Sequence, residues 1–167
     1  MRIYEGSPRQ DWEEVLRSVG AYLDDRGIRG MIFVETDNGF IIQGTAVHDT
    51  AGSGESMGQA QRETLTLQDE DVGGFMDEAI ARRGHAPDAT PKHYEAQLRV
   101  MGRFFDAKHP RDLFFFELDG AYIARISVPG QGGLKHELIE FTREDVAELI
   151  AQAPALRRGN EAPGSQG

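Results

Sequence analysis

The 167-residue sequence contains no cysteine, only three lysines and no long hydrophobic run. Without cysteine it can form no disulfide, thiolate nucleophile, iron–sulfur cluster or cysteine-ligated zinc site. The longest apolar runs, 31–34 and 113–116, fall far short of the roughly 20 residues that span a bilayer. The first residues also lack the apolar stretch of a secretory signal peptide. We therefore expect a cytoplasmic protein with no membrane partner.

Positive charge is scarce as well. The chain has 28 acidic and 18 basic residues, a net charge of -10, and this balance disfavours nucleic acid as a partner. The stretch from Glu35 to Glu78 holds ten acidic residues and one basic residue, a surplus of nine negative charges. A surface of that sign would attract a basic protein partner or a cationic ligand. The alternative is that these residues only keep the surface soluble.

The sequence resembles itself at a fixed offset. Shifting it by 82 residues aligns 11–46 with 93–128, with ten of 36 positions identical, where roughly two or three are expected at this composition. Further along, an offset of 74 aligns 70–72 with 144–146. The sequence therefore predicts an internal duplication, with about eight additional residues in the first copy.

Each copy has the pattern of an αβββα unit. A helical periodicity is followed by an apolar run, a turn signal at Asn38-Gly39 or Asp119-Gly120, two more β-rich runs and a second helical pattern. We expect an α+β fold with antiparallel sheets, helices packed against them and a pseudo-two-fold arrangement of the copies. The predicted segments are a first repeat at 1–83, a linker at 84–90, a second repeat at 91–153 and a flexible tail at 154–167, and we expect the two repeats to form one compact domain.

Two features of the first helix recur in each copy. Gly20 and Gly102 lie inside predicted helices, where glycine costs about 1 kcal/mol relative to alanine, so we expect a close approach of the helix backbone to a neighbour. The spacings of Glu13 to Arg17 and of Glu95 to Arg99 predict ion pairs within one helix, on solvated faces.

The first strand of each copy is apolar on both faces, which is unusual for an antiparallel sheet that is open to water on one side. We therefore expect the second face to be covered by the sister copy or by another chain. In layout, a small acidic α+β chain with a helix followed by a strand meander is similar to secretion-chaperone-like domains, although no motif carries this similarity.

The loop at 49–59 is longer than its counterpart in the second copy and is rich in glycine and serine. Its sequence GESMG at 54–58 fits the GxSxG pattern, but a strand pattern follows it where a nucleophile elbow requires a helix. Loops on a rigid scaffold often carry function. If this loop binds a ligand, the candidate residues are His48, Asp49, Ser53, Glu55 and Ser56.

Two glutamates occupy the same position in the two copies. Glu35 and Glu117 each end an apolar strand, and across a two-fold axis their carboxylates could face each other and share a proton. The alternative is that each closes its strand at the boundary with water. The five histidines form no recognised metal-binding pattern, so we expect no metal and no cofactor.

These observations favour a non-enzymatic binding or protein-interaction module, chaperone-like in layout and built as a fused pseudo-dimer. Its expected partner is a second copy of the chain, in a homo-oligomer, or a basic protein. The alternative is a small-ligand-binding protein or enzyme that uses the loop at 49–59 and a pocket between the repeats. The discriminating features are the covering of the second sheet face and a polar cavity near the loop.

Overall fold

The structure is a computed structural model that describes residues 11–48, 59–82 and 93–154. The predicted linker at 84–90 and nearly all of the predicted tail at 154–167 lie outside these ranges. So does most of the loop at 49–59. Each described helix has fifteen residues or fewer, and none combines the length and apolarity needed to cross a membrane.

Helices and strands follow the predicted order in each half of the chain. The turn between β1 and β2 consists of Asp37 and Asn38, one residue earlier than the predicted Asn38-Gly39, because Gly39 already pairs with Thr36. The turn between β4 and β5 consists of Asp119 and Gly120 as predicted, and both residues have positive φ angles. In chain order the elements are α1 (Trp12–Arg26), β1 (Ile28–Thr36), β2 (Gly39–His48), β3 (Gln59–Gln68), α2 (Asp69–Arg82), α3 (Tyr94–Lys108), β4 (Asp112–Leu118), β5 (Ala121–Gly130), β6 (Gly133–Phe141) and α4 (Arg143–Gln152).

All six described strands belong to one antiparallel sheet, and the predicted α+β class is confirmed. The strand order is β3-β2-β1-β4-β5-β6, so β1 and β4 join the two halves of the chain at the centre of the sheet. In that central pairing Phe33 lies opposite Phe115, two residues separated by 82 positions. The halves therefore lie side by side, so the sister copy does not cover the second sheet face, and cover by another chain stays a prediction.

The described helices lie on one face of the sheet. Trp12 of α1 contacts Phe33 edge to face, Phe75 of α2 contacts Phe40, and Phe105 of α3 contacts Phe115. Alternate strand residues turn toward these helices because side chains alternate between the faces of a strand. The resulting core includes Val15, Leu16, Val19, Met31, Phe33, Phe40, Ile42, Leu98, Met101, Phe105, Leu113, Phe115, Tyr122 and Ile126.

The two central helices, α1 and α3, approach each other closely at glycine. A Cβ added to Gly20 would lie 2.6 Å from the Cα of Glu95, and one added to Gly102 would lie 2.7 Å from the Cα of Glu13. Both distances are shorter than real Cβ contacts. The predicted close approach at both glycines is confirmed, and the neighbour is the other central helix.

The ion pairs of these helices differ from the prediction. Arg17 Nε lies 3.1 Å from an Oε atom of Glu95, and Arg99 Nε lies 3.0 Å from an Oε atom of Glu13. These pairs join α1 to α3, whereas the sequence predicted Glu13–Arg17 and Glu95–Arg99 pairs within each helix. Within α1, Arg17 also lies 3.7 Å from a carboxylate oxygen of Glu14. The prediction of solvated faces is also wrong, because Arg17 and Arg99 are buried between the helices.

Each central helix is also capped by a carboxylate from the other. Asp106 of α3 accepts hydrogen bonds from the backbone N–H groups of Trp12 and Glu13, at 2.8 and 3.0 Å. Asp24 of α1 accepts from the N–H groups of Tyr94 and Glu95, both at 3.2 Å. A negative charge near a helix N-terminus is stabilising and satisfies N–H groups that have no partner inside the helix.

Candidate functional site

The sheet face opposite the helices is a broad apolar surface. Two rows of side chains cross its centre, and seven of their twelve members are large and apolar. From β3 to β6, the first row is Thr64, Gln43, Ile32, Phe116, Ile123 and Glu140, and the second is Thr66, Ile41, Val34, Phe114, Arg125 and Leu138. We call these twelve residues the open face.

Several apolar side chains of this surface are accessible to solvent. Phe114 is 37% exposed and Leu138 is 78% exposed, and none of the described helices packs over them. The rings of Phe114 and Phe116 also contact each other, with centroids 5.9 Å apart. The only charged members of the open face are Arg125 and Glu140, which have opposite signs. Large contiguous apolar patches are rare on soluble monomers and mark interaction surfaces.

A second feature is a groove in the first half of the chain, between the end of α1, the helix α2 and the strand β3. It encloses a cavity of about 320 Å³. Apolar side chains form most of its wall, while acidic and basic groups stand among them. The lining residues are Tyr22, Asp25, Arg26, Leu65, Leu67, Asp71, Phe75, Glu78, Ala79 and Arg82. We call this the first groove.

Asp25 is the buried polar group of the first groove. Its side chain is 9% exposed, and its Oδ2 atom lies 3.6 Å from Nε of the mostly exposed Arg82. Its Oδ1 atom is buried without a hydrogen-bond partner. Leaving a buried acceptor unsatisfied costs about 1–3 kcal/mol, and more when the group is charged. A donor supplied by a ligand would remove that cost.

The second half of the chain has a groove at the matching place, with a cavity of about 280 Å³. Five of its lining residues follow first-groove residues by 74 positions and one follows by 82. At two equivalent positions, a carboxylate of the first half is replaced by a neutral residue in the second half. The residue 82 positions after Asp25 is Ala107, and the residue 74 positions after Glu78 is Gln152. The second groove therefore lacks the buried carboxylate.

A cavity of about 480 Å³ lies between the halves, where the start of α1 meets the segment that follows α3. The carboxylates that line it or lie beside it already have partners within the protein. Asp106 caps α1, Asp11 accepts a hydrogen bond from the N–H group of Glu14, and Glu13 pairs with Arg99. Asp11, Glu13 and Asp106 also form the one described group of three carboxylates that lie within 4.8 Å of one another. These existing partners give no support to a metal site.

Glu35 lies where β1 and β4 stop pairing. Its Oε1 atom accepts a 2.9 Å hydrogen bond from the N–H group of Leu113. It lines a cavity of about 210 Å³ together with Asp112, Arg125 and His136. Burial raises the pKa of the Glu35 carboxyl to about 7, while the hydrogen bond from Leu113 acts in the opposite direction and Asp112 adds to the rise.

Glu117 lies at the other end of the β1–β4 pairing, beyond Phe116. It is buried, accepts a hydrogen bond from the hydroxyl of Tyr94, and accepts a second from the N–H group of Gly120 in its own hairpin turn. Burial and this carboxylate raise the pKa of Tyr94. The structure does not bring Glu35 and Glu117 together, because the paired residues of β1 and β4 separate them.

The predicted loop site falls almost entirely outside the described residues. Only the backbone of His48, which ends β2, is described; Asp49, Ser53, Glu55 and Ser56 are not. Of the other histidines, His136 lies within 2.9 Å of the hydroxyl of Ser127. The first groove is a site that the sequence did not single out. The available signal was the aspartate at position 25, which has no counterpart at position 107.

No protein-family model, curated protein or solved structure matches this chain. A proposal about its function therefore rests on its own surfaces and cavities.

Proposed function

We propose that this protein is a non-enzymatic interaction module that associates with a second copy of itself through the open face. The observation that carries the proposal is the apolar surface on the helix-free side of the sheet, with Phe114 and Leu138 exposed. Burial of apolar area is the dominant driving force for protein association. An antiparallel sheet that remained open to water would instead carry polar residues on that side.

A second copy suits this surface better than a basic protein does. The two central rows carry one positive and one negative residue, Arg125 and Glu140, so their net charge is zero in a chain of net charge -10. Two such faces do not repel each other. In a two-fold dimer the same surface contributes on both sides, and opposite charges on one face can pair across it.

The proposal includes a fused pseudo-dimer, in which the chain is an internal duplication with a pseudo-two-fold axis through the central strand pair. Equivalent contacts at an offset of 82 support it. The cap of α1 by Asp106 and the cap of α3 by Asp24 are one such pair. The contacts of Gly20 and Gly102 are another. Association through the open face would then join two pseudo-dimers.

The test is the molar mass of the protein in solution, measured by sedimentation equilibrium over a range of concentrations. We expect the mass of a dimer for the wild-type chain. The variant Phe114→Glu places a charge in the centre of the open face and should give the mass of a monomer. The matched control is Ile150→Glu, since Ile150 is 39% exposed on α4, away from the open face.

The control should remain dimeric. A monomeric wild-type chain at the highest concentrations would overturn the proposal. So would a Phe114→Glu variant that folds, as judged by circular dichroism, and stays dimeric. The partial exposure of Phe114 makes that substitution compatible with folding.

A small-ligand-binding role is the second candidate function. The observation that favours it is the first groove, with its unsatisfied Asp25 Oδ1 atom. This groove lies wholly within the first half of the chain, so it is distinct from a pocket between the halves.

A further inference from the structure

The first groove combines an apolar wall with one buried acceptor. Tyr22, Leu65 and Phe75 provide aromatic and aliphatic surface around a cavity of about 320 Å³. This volume lies at the lower end of the roughly 300–1,000 Å³ range of small-molecule sites. A compact group with an apolar stem therefore fits the space.

The polar end of the occupant follows from Asp25. A carboxylate accepts hydrogen bonds and donates none, so the group that satisfies its buried Oδ1 atom must be a donor. A positively charged donor forms the stronger bond with a carboxylate. The nearby Arg82 occupies the other oxygen, Oδ2, and its side chain is 60% exposed. Arg26 is engaged over the ring of Tyr22, at 5.2 Å from the ring centroid.

We propose that the first groove binds an organic cation, an ammonium or guanidinium group on an apolar stem, whose charged end donates to Asp25 and whose stem lies against Leu65 and Phe75. The cation comes either from a free amine or from a lysine or arginine side chain of another protein. This site is independent of association through the open face. The surplus of negative charge between Glu35 and Glu78 favours approach of either source.

The second groove is the internal control. It keeps an apolar wall, with Ile139, Phe141 and Leu149 among its lining residues, but Ala107 stands at the position that corresponds to Asp25. A ligand held only by apolar contact would bind in both grooves. A ligand held by the buried carboxylate binds in the first.

The experiment is a titration of the full-length protein followed by ¹H–¹⁵N NMR shifts. The free-amine arm uses 2-phenylethylamine and agmatine, with 2-phenylethanol as the neutral counterpart. The protein-side-chain arm uses the capped peptide acetyl-Gly-Leu-Arg-Leu-Gly-amide, with citrulline in place of arginine as its neutral counterpart. We expect shifts at Leu65, Phe75 and Ala79 with the cationic compounds, and much smaller shifts with the neutral ones.

The variant Asp25→Asn should weaken cation binding by roughly tenfold or more, because a charge-assisted hydrogen bond is lost. The matched control is Asp77→Asn, which removes the same charge from an exposed position of α2 outside the groove lining. Its affinity should stay within about twofold of the wild-type value, as expected for a screened surface charge.

The two arms of the titration also identify the source of the cation. Binding of the free amines supports the proposal for a small cation, and binding of the arginine peptide alone supports it for a protein side chain. The proposal is overturned if neither source binds at millimolar concentration. It is equally overturned if Asp25→Asn binds as the wild-type chain does, if the neutral compounds bind as well, or if Ile139 and Leu149 shift as much as the first groove.

Discussion

The variant Gly20→Ala tests how closely the central helices α1 and α3 pack against each other. The new Cβ would overlap the backbone carbonyl of Tyr94 and would lie 2.6 Å from the Cα of Glu95. Ordinary contact begins near 3.4 Å, so the start of α3 has to move by at least about 0.8 Å. Because backbone atoms cannot rotate away as a side chain does, the helices must separate.

The magnitude follows from two opposing effects. Alanine is favoured over glycine in a helix interior by about 1 kcal/mol. Forcing extra volume into a packed contact costs about 1–3 kcal/mol, occasionally more. The separation also stretches the Arg17–Glu95 ion pair and the cap that Asp24 provides. We expect a net loss of about 2 kcal/mol in the free energy of unfolding, equivalent to roughly 4–8 °C in Tm for a chain of this size.

The assay is urea unfolding followed by circular dichroism, supported by thermal melts at matched protein concentration. Gly74→Ala is the control, because Gly74 lies on the exposed side of α2 and an added Cβ would meet nothing within 4 Å. That variant should be more stable than the wild-type chain by up to about 1 kcal/mol. A Gly20→Ala variant that matches or exceeds wild-type stability would refute the close-packing argument. The double variant with Gly102→Ala should lose less than the sum of the single changes, since one separation relieves both contacts.

The remaining predictions concern partly buried carboxylates. Asp106→Ala and Asp24→Ala each remove a carboxylate that accepts from two N–H groups at the start of the other helix, so each should lower the free energy of unfolding by about 1–2 kcal/mol in urea titrations; an unchanged value would contradict the capping role. Burial raises the pKa of Glu35 from 4.5 to about 7, so the folded state keeps a proton that the unfolded state has lost, and stability falls as the pH rises through that interval. Glu35→Gln should therefore stabilise the protein by about 1–3 kcal/mol at pH 8 and change little near pH 4, and equal shifts in urea titrations at both values would contradict the assignment.

The order of helices and strands could be predicted because its signals are local. Period-3.6 and period-2 patterns locate the elements, and Asp119-Gly120 marks a turn through the positive φ angles that it adopts. The close approach at the helix glycines could also be predicted from the sequence. Glycine destabilises a helix interior relative to alanine, so its presence within an apolar helix stripe indicates a neighbour too close for a side chain. Gly20 and Gly102 each have such a neighbour.

The arrangement of the halves could not be predicted. A first strand with two apolar faces fits a sheet buried by its sister as well as a shared sheet with an open face. The ion pairs were assigned wrongly for a similar reason. Glu13 and Arg17 lie four residues apart, the spacing of a pair within one helix, but the antiparallel crossing of α1 and α3 brings Glu95 to Arg17 instead.

The caps and the first groove depend on distant residues. Asp24 caps a helix that begins 70 positions later, and no local pattern identifies such a donor–acceptor pair. Asp25 is adjacent to it in sequence but turns into the groove beside α2. Two neighbouring aspartates in one helical turn therefore have different surroundings, and only the packing of α2 and α3 against α1 separates their roles.

Several of the residues that the two halves share lie where the halves contact each other. Identical pairs at the offset of 82, such as Arg17 and Arg99, lie where α1 meets α3, and Phe33 and Phe115 lie where β1 meets β4. In both places each half contacts the other, so a change in one half disturbs the fit of its counterpart. Among the described residues, each outer groove is lined by one half of the chain alone, so Asp25 and Ala107 can differ without disturbing the central contacts. A ligand-binding site specific to one half can therefore arise in a groove, while the central contacts keep the two halves packed together.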